Sequence, residues 1–141
     1  MSNLNRTSWP AWGLIPLRLA VGAVFLAHGS QKLFTFGLAG TADIMSKIGI
    51  PLPTVAAAVV ITVEILGGVA IVSGLFTRWA AALLAIDMTV AILVARLQGG
   101  FFTPYGYEFE MTLLGACISF ALIGAGGFSV DAMLAKRGTN A

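Results

Sequence analysis

The sequence places six ionisable residues within stretches that are otherwise apolar: Arg18, His28, Glu64, Asp87, Arg96 and Glu110. A charged side chain at membrane depth costs about 2.5–3.5 kcal/mol even on a lenient insertion scale, so such residues are functional candidates by default. At about 1.5 Å of rise per helical residue, Glu64 and Asp87 fall near the middle of a bilayer. Arg18 lies nearer one end, but its long side chain can reach inward. The sequence therefore predicts a deep polar cluster of Arg18, Glu64 and Asp87.

Within this cluster we predict an ion pair between Arg18 and Glu64. Each of the two charged residues has glycines on its own face of the helix, and these would let the two helices approach closely. The glycines are Gly22 and Gly29 beside Arg18, and Gly67 and Gly68 beside Glu64. Such a pair either fixes helix register or takes part in handling a proton or ligand. Asp87 has no obvious partner, so it is either a titrating group or a neutral acid hydrogen-bonded to backbone.

A second polar group is predicted near the opposite end of the helices: His28, Lys32, Arg96, Tyr105, Tyr107, Glu108 and Glu110. Each residue has an ordinary alternative role, such as an interfacial hydrogen bond or a snorkelling anchor. Together they offer both signs of charge, an imidazole and two phenols. That composition suits the head group of a quinone or another small polar-headed ligand, and we treat the set as ligand-binding candidates.

Composition defines the elements that must position these residues. The 141 residues are 58% hydrophobic and only 10% charged, whereas a soluble domain averages roughly 25% charged residues. This excludes an ordinary soluble globule and a disordered chain. Four apolar stretches approach the roughly 20 residues that a spanning helix needs, at about 14–33, 55–74, 79–97 and 110–126. We predict a single all-α domain over residues 1–141, an integral membrane four-helix bundle with both termini on the same side.

The segments between the spans predict a further helix and an orientation. Ile44, Met45 and Ile48 recur at helical spacing, which indicates a short amphipathic helix at the outer interface between the first two spans. The side of the termini carries one basic residue more than the opposite side. The first side has Arg6, Arg78, Lys136 and Arg137, and the second has Lys32, Lys47 and Arg96. By the positive-inside rule we expect a multi-pass protein of the cell (inner) membrane with cytoplasmic termini.

Several function classes are excluded or disfavoured. The net charge of +2 is too weak for a nucleic-acid footprint. Cys117 is the single cysteine and His28 the single histidine, so neither an intramolecular disulfide nor a multi-thiolate metal site is possible. No nucleotide or catalytic motif is present. We predict no metal and no intrinsic cofactor, and the chain is poorly equipped to be an enzyme alone.

Short sequence blocks, taken in their order and spacing, resemble the DoxX family of small four-helix membrane proteins. The blocks are Leu17-Arg18-Leu19, His28-Gly29-Ser30-Gln31-Lys32, Glu64-Ile65-Leu66-Gly67-Gly68, Gly74-Leu75-Phe76-Thr77-Arg78, Tyr107-Glu108 and the segment from Gly124 to Asp131. The resemblance implies family positions at Arg18, His28, Lys32, Glu64, Arg78 and Glu108, but not at Asp87, Arg96, Glu110 or Cys117. It also implies a link to membrane-associated oxidoreductase or thiol-stress systems.

Three functions remain open from the sequence. The first is an accessory subunit of a quinone- or thiol-linked redox system that binds quinone or anchors a partner oxidoreductase in the lipid bilayer. The second is a small proton-coupled transporter using Asp87 and Glu64, and the third is a structural or assembly protein. Gly115 and Ser119 form a small-xxx-small pattern that suits helix contact or a homo-oligomer.

Overall fold

The computed structural model describes residues 12–138, and the regular structure within that range is helical throughout. Arg6, used above for orientation, lies outside the described residues. The helices are α1 (Ile15–Ser30), α2 (Gly37–Lys47), α3 (Pro53–Ser73), α4 (Thr77–Val90), α5 (Glu108–Ile123) and α6 (Val130–Gly138). Two of these helices continue beyond the bounds given. α1 is followed by a π-helical segment, Gln31–Phe36. α4 is followed by a π-helical segment, Ala91–Arg96, and then by a 3-10 turn, Leu97–Gly99.

Helix ends follow the local chemistry of the chain. Gly74 and Gly124 end α3 and α5 at φ values of +72° and +85°, a conformation that glycine adopts without the steric penalty of a Cβ atom. The start of α4 is capped from a distant part of the chain. The Asp131 carboxylate accepts hydrogen bonds from the backbone N–H groups of Phe76 and Thr77 at 2.8 and 3.1 Å, satisfying donors that have no partner within the helix.

The helices pack in sequence around one core. α1 packs on α3, α3 on α4 and α4 on α5, while α2 lies against α3. Six residues at most 1% exposed form the centre of this core: Phe25, Ile71, Ala81, Leu84, Cys117 and Phe120. The first and second apolar stretches therefore face each other, as the glycine pattern predicted.

Glycines bring α1 and α3 into close contact. A Cβ atom added to Gly68 would lie 3.0 Å from the backbone oxygen of Gly22, and one added to Gly29 would lie 3.0 Å from Cβ of Glu64. The predicted close approach is confirmed at these positions. Gly67 instead faces α4, because its added Cβ would meet Leu84 at 2.9 Å.

The helical segment predicted between the first two spans is α2. Its buried residues are Thr41, Ala42 and Met45, and the latter two pack with Ala57 of α3 in a small separate core. Ile44, which the periodicity placed on the apolar face, is 44% exposed. The buried face of α2 is therefore narrower than the spacing of apolar residues indicated.

Among the residues that the structure describes, two helices are long and apolar enough to cross a membrane, Pro53–Ser73 and Thr77–Gly99. Their outer faces carry large apolar residues that are more than half exposed: Val59, Leu66, Leu83, Ile86 and Leu93. A contiguous exposed apolar surface of this kind is typical of contact with lipid or with another protein.

Candidate functional site

The best-defined polar contact of the site joins α1 to α3. Lys32 Nζ donates hydrogen bonds to both carboxylate oxygens of Glu64, at 2.8 and 2.7 Å. The Glu64 side chain is 4% exposed and that of Lys32 is 22% exposed. Lys32 lies in the π-helical extension of α1, a geometry that is rare and frequently found at functional sites.

The predicted ion pair between Arg18 and Glu64 is wrong. The Arg18 guanidinium donates to four backbone carbonyl oxygens, those of Ile71 and Val72 at the end of α3 and of Ala125 and Phe128 beyond α5, at 2.6–3.2 Å. The carbonyls at a helix C-terminus have no hydrogen-bond donor within the helix, and Arg18 supplies donors to those at the end of α3. Arg18 is therefore not part of the cluster around Glu64.

The register of α1 against α3 explains the error. Gly22 meets Gly68 and Gly29 meets Glu64 across two antiparallel helices. In that register Arg18 lies beside the last turn of α3, and Glu64 lies beside the C-terminal part of α1. Lys32 is on the same helical face as Arg18 and reaches Glu64 with its flexible four-carbon stem.

Asp87 of α4 is the third member of the cluster around Glu64. Its Oδ2 atom is buried and has no hydrogen-bond partner within residues 12–138. Glu64 and Lys32 are the charges that act on it. A buried carboxylate oxygen without a partner is unusual and needs an explanation, such as a missing ligand or a function.

These groups line a cavity of about 460 Å³ between α1, α3, α4 and α5. Its polar lining is His28, Lys32, Glu64, Asp87, Arg96 and Glu110, and its apolar lining includes Val24, Phe25, Val60, Met88 and Leu113. The cavity has the size and mixed lining of a small-molecule site. The structure thus joins two members of the predicted deep cluster to four members of the predicted outer group.

A second ion pair lies at the cavity wall formed by α4 and α5. Arg96 Nε donates to Glu110 Oε1 at 3.0 Å, and Arg96 Nη1 donates to the carbonyl of Pro104 at 3.3 Å. Arg96 ends the π-helical segment of α4, so both π-helical segments carry a cation of the cavity. His28 also lines the cavity, and the centroid of its ring is 5.7 Å from that of the Phe109 ring.

Helix α2 and the residue that follows it form part of the cavity wall. Ile44, Met45 and Ile48 contribute to the lining, and Thr41 Oγ1 donates a hydrogen bond to the carbonyl of Lys32 at 3.1 Å. This bond fastens α2 to the segment that carries the cation. Sequence reasoning did not select Thr41 or Phe109, because a single hydroxyl or ring in an apolar context carries no distinguishing signal.

The remaining three candidates, Tyr105, Tyr107 and Glu108, do not line the cavity. Tyr105 is 76% exposed, and the Tyr107 ring packs edge-on against Phe101 at 5.5 Å. Glu108 accepts hydrogen bonds from the hydroxyl and the backbone N–H of Thr103, which hold its pKa below the ordinary value. These residues give the loop before α5 its shape.

Comparison with known proteins adds the family context. The DoxX family matches residues 13–97. The chain is 35% identical to "Uncharacterized membrane protein Rv3486" of Mycobacterium tuberculosis over 94% of its length and 91% of the relative. It is 33% identical to "Putative oxidoreductase CatD" of Bacillus subtilis, over 91% of each chain.

"Inner membrane protein YphA" of Escherichia coli is 28% identical over 84% of this chain and 87% of its own. No solved structure matches the chain. The family match covers the π-helical segments, α2 and three of the helices around the cavity, and the chain is a membrane protein of the DoxX family.

Proposed function

We propose that the chain is a membrane accessory subunit of a redox system and that its cavity binds the head group of a quinone or of a similarly small polar-headed ligand. The observation that carries this proposal is the convergence of six polar or charged side chains, Lys32, Glu64 and Asp87 among them, on a cavity of about 460 Å³ whose remaining walls are mostly apolar. Apolar walls with a few placed polar groups are the usual form of a ligand site. The name of the Bacillus subtilis relative supports the link to oxidation and reduction.

We further propose that α1, α3, α4 and α5 (the last from Glu110 onward) all cross the inner membrane, with cytoplasmic termini. Large apolar side chains are exposed on the outer faces of α1 and α5 as well as on the two longer helices: Leu17, Leu19, Ile118 and Leu122. Such residues are favourable in lipid and unfavourable in water. The cavity would then open toward the outer side, where the first helix ends.

The ligand proposal is tested by isolating the protein with its native lipids. The chain is purified in lipid nanodiscs, extracted with organic solvent, and the extract is analysed for quinones by chromatography and mass spectrometry. We expect quinone enriched toward one molecule per chain, and loss of that enrichment in the Glu64→Gln and Asp87→Leu variants. The exposed Asp43→Asn variant is the control. Equal quinone content in all samples would overturn the proposal.

Transport is the second candidate, and the buried unpartnered oxygen of Asp87 favours it. An apolar layer opposes it, because Ile71, Leu84 and Phe120, each at most 1% exposed, lie between the cavity and the Arg18 end of the molecule. A transporter predicts pH-dependent flux in liposomes that disappears in Asp87→Asn. The accessory-subunit proposal predicts no such flux in either protein.

A further inference from the structure

Two ion pairs line the cavity, and Asp87 belongs to neither of them. Lys32 is bonded to both oxygens of Glu64, and Arg96 is bonded to Glu110. Asp87 has neither a cation of its own nor a donor to its Oδ2 atom within residues 12–138. Asp87 Oδ2 is therefore a buried carboxylate oxygen of the cavity that no donor within residues 12–138 satisfies.

The surroundings of Asp87 restrict what can satisfy it. The titratable or charged groups on the packed elements are His28 and Lys32 of α1, Glu64 of α3, Arg96 of α4, and Glu110 and Cys117 of α5. The two cations among them are engaged by Glu64 and Glu110. The rest of the cavity lining is mostly apolar and includes Phe25, Met88 and Leu113.

We propose that Asp87 accepts a hydrogen bond from a hydroxyl group of the ligand, so that the site prefers the hydroxyl-bearing form, a hydroquinone, over the quinone. This inference rests on the proposed ligand function and specifies the form that is bound. A quinone oxygen has lone pairs only and would face a second acceptor, whereas a hydroquinone hydroxyl donates to it. The preference belongs to the ionised carboxylate, because a hydrogen bond to a charged acceptor is about twice as strong as one between neutral groups. The apolar side chains of the cavity suit the ring.

The experiment compares ring probes with and without this donor. Binding of a short-tailed hydroquinone, of the corresponding quinone and of the hydroquinone dimethyl ether is measured by calorimetry under anaerobic conditions, with the protein in nanodiscs and empty nanodiscs as the blank. We expect the hydroquinone to bind about tenfold or more tightly than the other two. The dimethyl ether separates the loss of the hydroxyl donor from a change in redox state.

Variants separate this inference from the function on which it rests. Asp87→Asn keeps the shape and adds an amide donor, so the preference should vanish or reverse, while Asp43→Asn should leave it unchanged; thermal unfolding of each variant verifies the fold. If all probes bind wild-type protein equally, or if Asp87→Asn keeps the preference, the role of Asp87 is overturned and the ligand site stands. If no probe binds above the blank, the proposed function fails as well.

Discussion

Arg18 is a structural residue because of what its guanidinium contacts. Five N–H donors in a fixed fork meet four carbonyl oxygens, two at the end of α3 and two in the segment after α5. Its side chain is buried, and Ser129 and Gly74 lie against the same corner. The residue joins the start of α1 to the ends of α3 and α5.

We expect Arg18→Lys to lower the free energy of unfolding by about 3 kcal/mol or more, because a single ammonium cannot serve these acceptors and each buried group left unpaired costs about 1–3 kcal/mol. Arg78→Lys is the matched control, since Arg78 makes one exposed bond of 3.5 Å to Ile123. Thermal unfolding in detergent measures both. The exchange Arg18→Glu with Glu64→Arg should not restore stability; full restoration would contradict the structure.

The contact between Lys32 and Glu64 predicts a different response. Lys32→Met leaves a carboxylate that is 4% exposed without its cation, a change that typically costs 3–5 kcal/mol. Adding Glu64→Leu to Lys32→Met should recover most of that loss. A double-mutant cycle on unfolding free energies measures the coupling. The exposed pair of Lys47 and Asp43 is the control and should show at most about 1 kcal/mol.

At the scale of the element, the α1–α3 contact depends on small residues. The expected effect of Gly68→Ala is a loss of about 1–3 kcal/mol, because its Cβ would lie 2.8 Å from Cγ of Leu26 and 3.0 Å from the oxygen of Gly22. Gly115→Ala on α5 meets nothing within 4 Å and should be neutral or slightly stabilising. The melting temperatures of the two variants test this prediction. An unchanged melting temperature for Gly68→Ala would contradict the close contact between α1 and α3.

The loop between α4 and α5 should respond to acid. Hydrogen bonds from Thr103 hold the pKa of Glu108 below its ordinary value. The ionised Glu108 carboxylate therefore stabilises the loop fully above the ordinary carboxyl pKa, and this stabilisation is lost as the pH falls through the lowered pKa. Hydrogen exchange of the segment 99–107, corrected for intrinsic rates, should increase in that range. In Thr103→Val the pKa of Glu108 should rise, and the loop should loosen at higher pH.

The positions of the helices and the apposed glycine faces follow from residue periodicity and size, so the sequence predicts them well. The ion-pair partner of Glu64 could not be predicted from periodicity and size, although Lys32 lies on the same helical face as Arg18. Helix register depends on which small residues meet across the contact, and a pattern within one helix does not contain that information. Likewise the cap that Asp131 gives α4 joins residues 54 and 55 positions apart, and no local signal marks it.

At the scale of the whole molecule, the proposed four-span arrangement predicts which residues are accessible from each side. Single cysteines are placed at Lys47, Tyr105 and Arg137 in a Cys117→Ala background and treated with an impermeant maleimide in intact cells. We expect labelling at positions 47 and 105, and at 137 only after permeabilisation. Labelling at 137 in intact cells would contradict the proposed topology.

The contacts of Arg18 and Asp131 also bear on how the chain is made. Two acceptors of Arg18, the carbonyls of Ala125 and Phe128, are 107 and 110 residues downstream, and the cap of α4 is equally late to be synthesised. Since domains are translated from the N-terminus at about 5–20 residues per second, the first three helices wait several seconds before the C-terminal segment completes them. A chain truncated before residue 125 therefore keeps an incompletely bonded guanidinium and an uncapped helix, and its first helices remain less stable than those of the finished molecule.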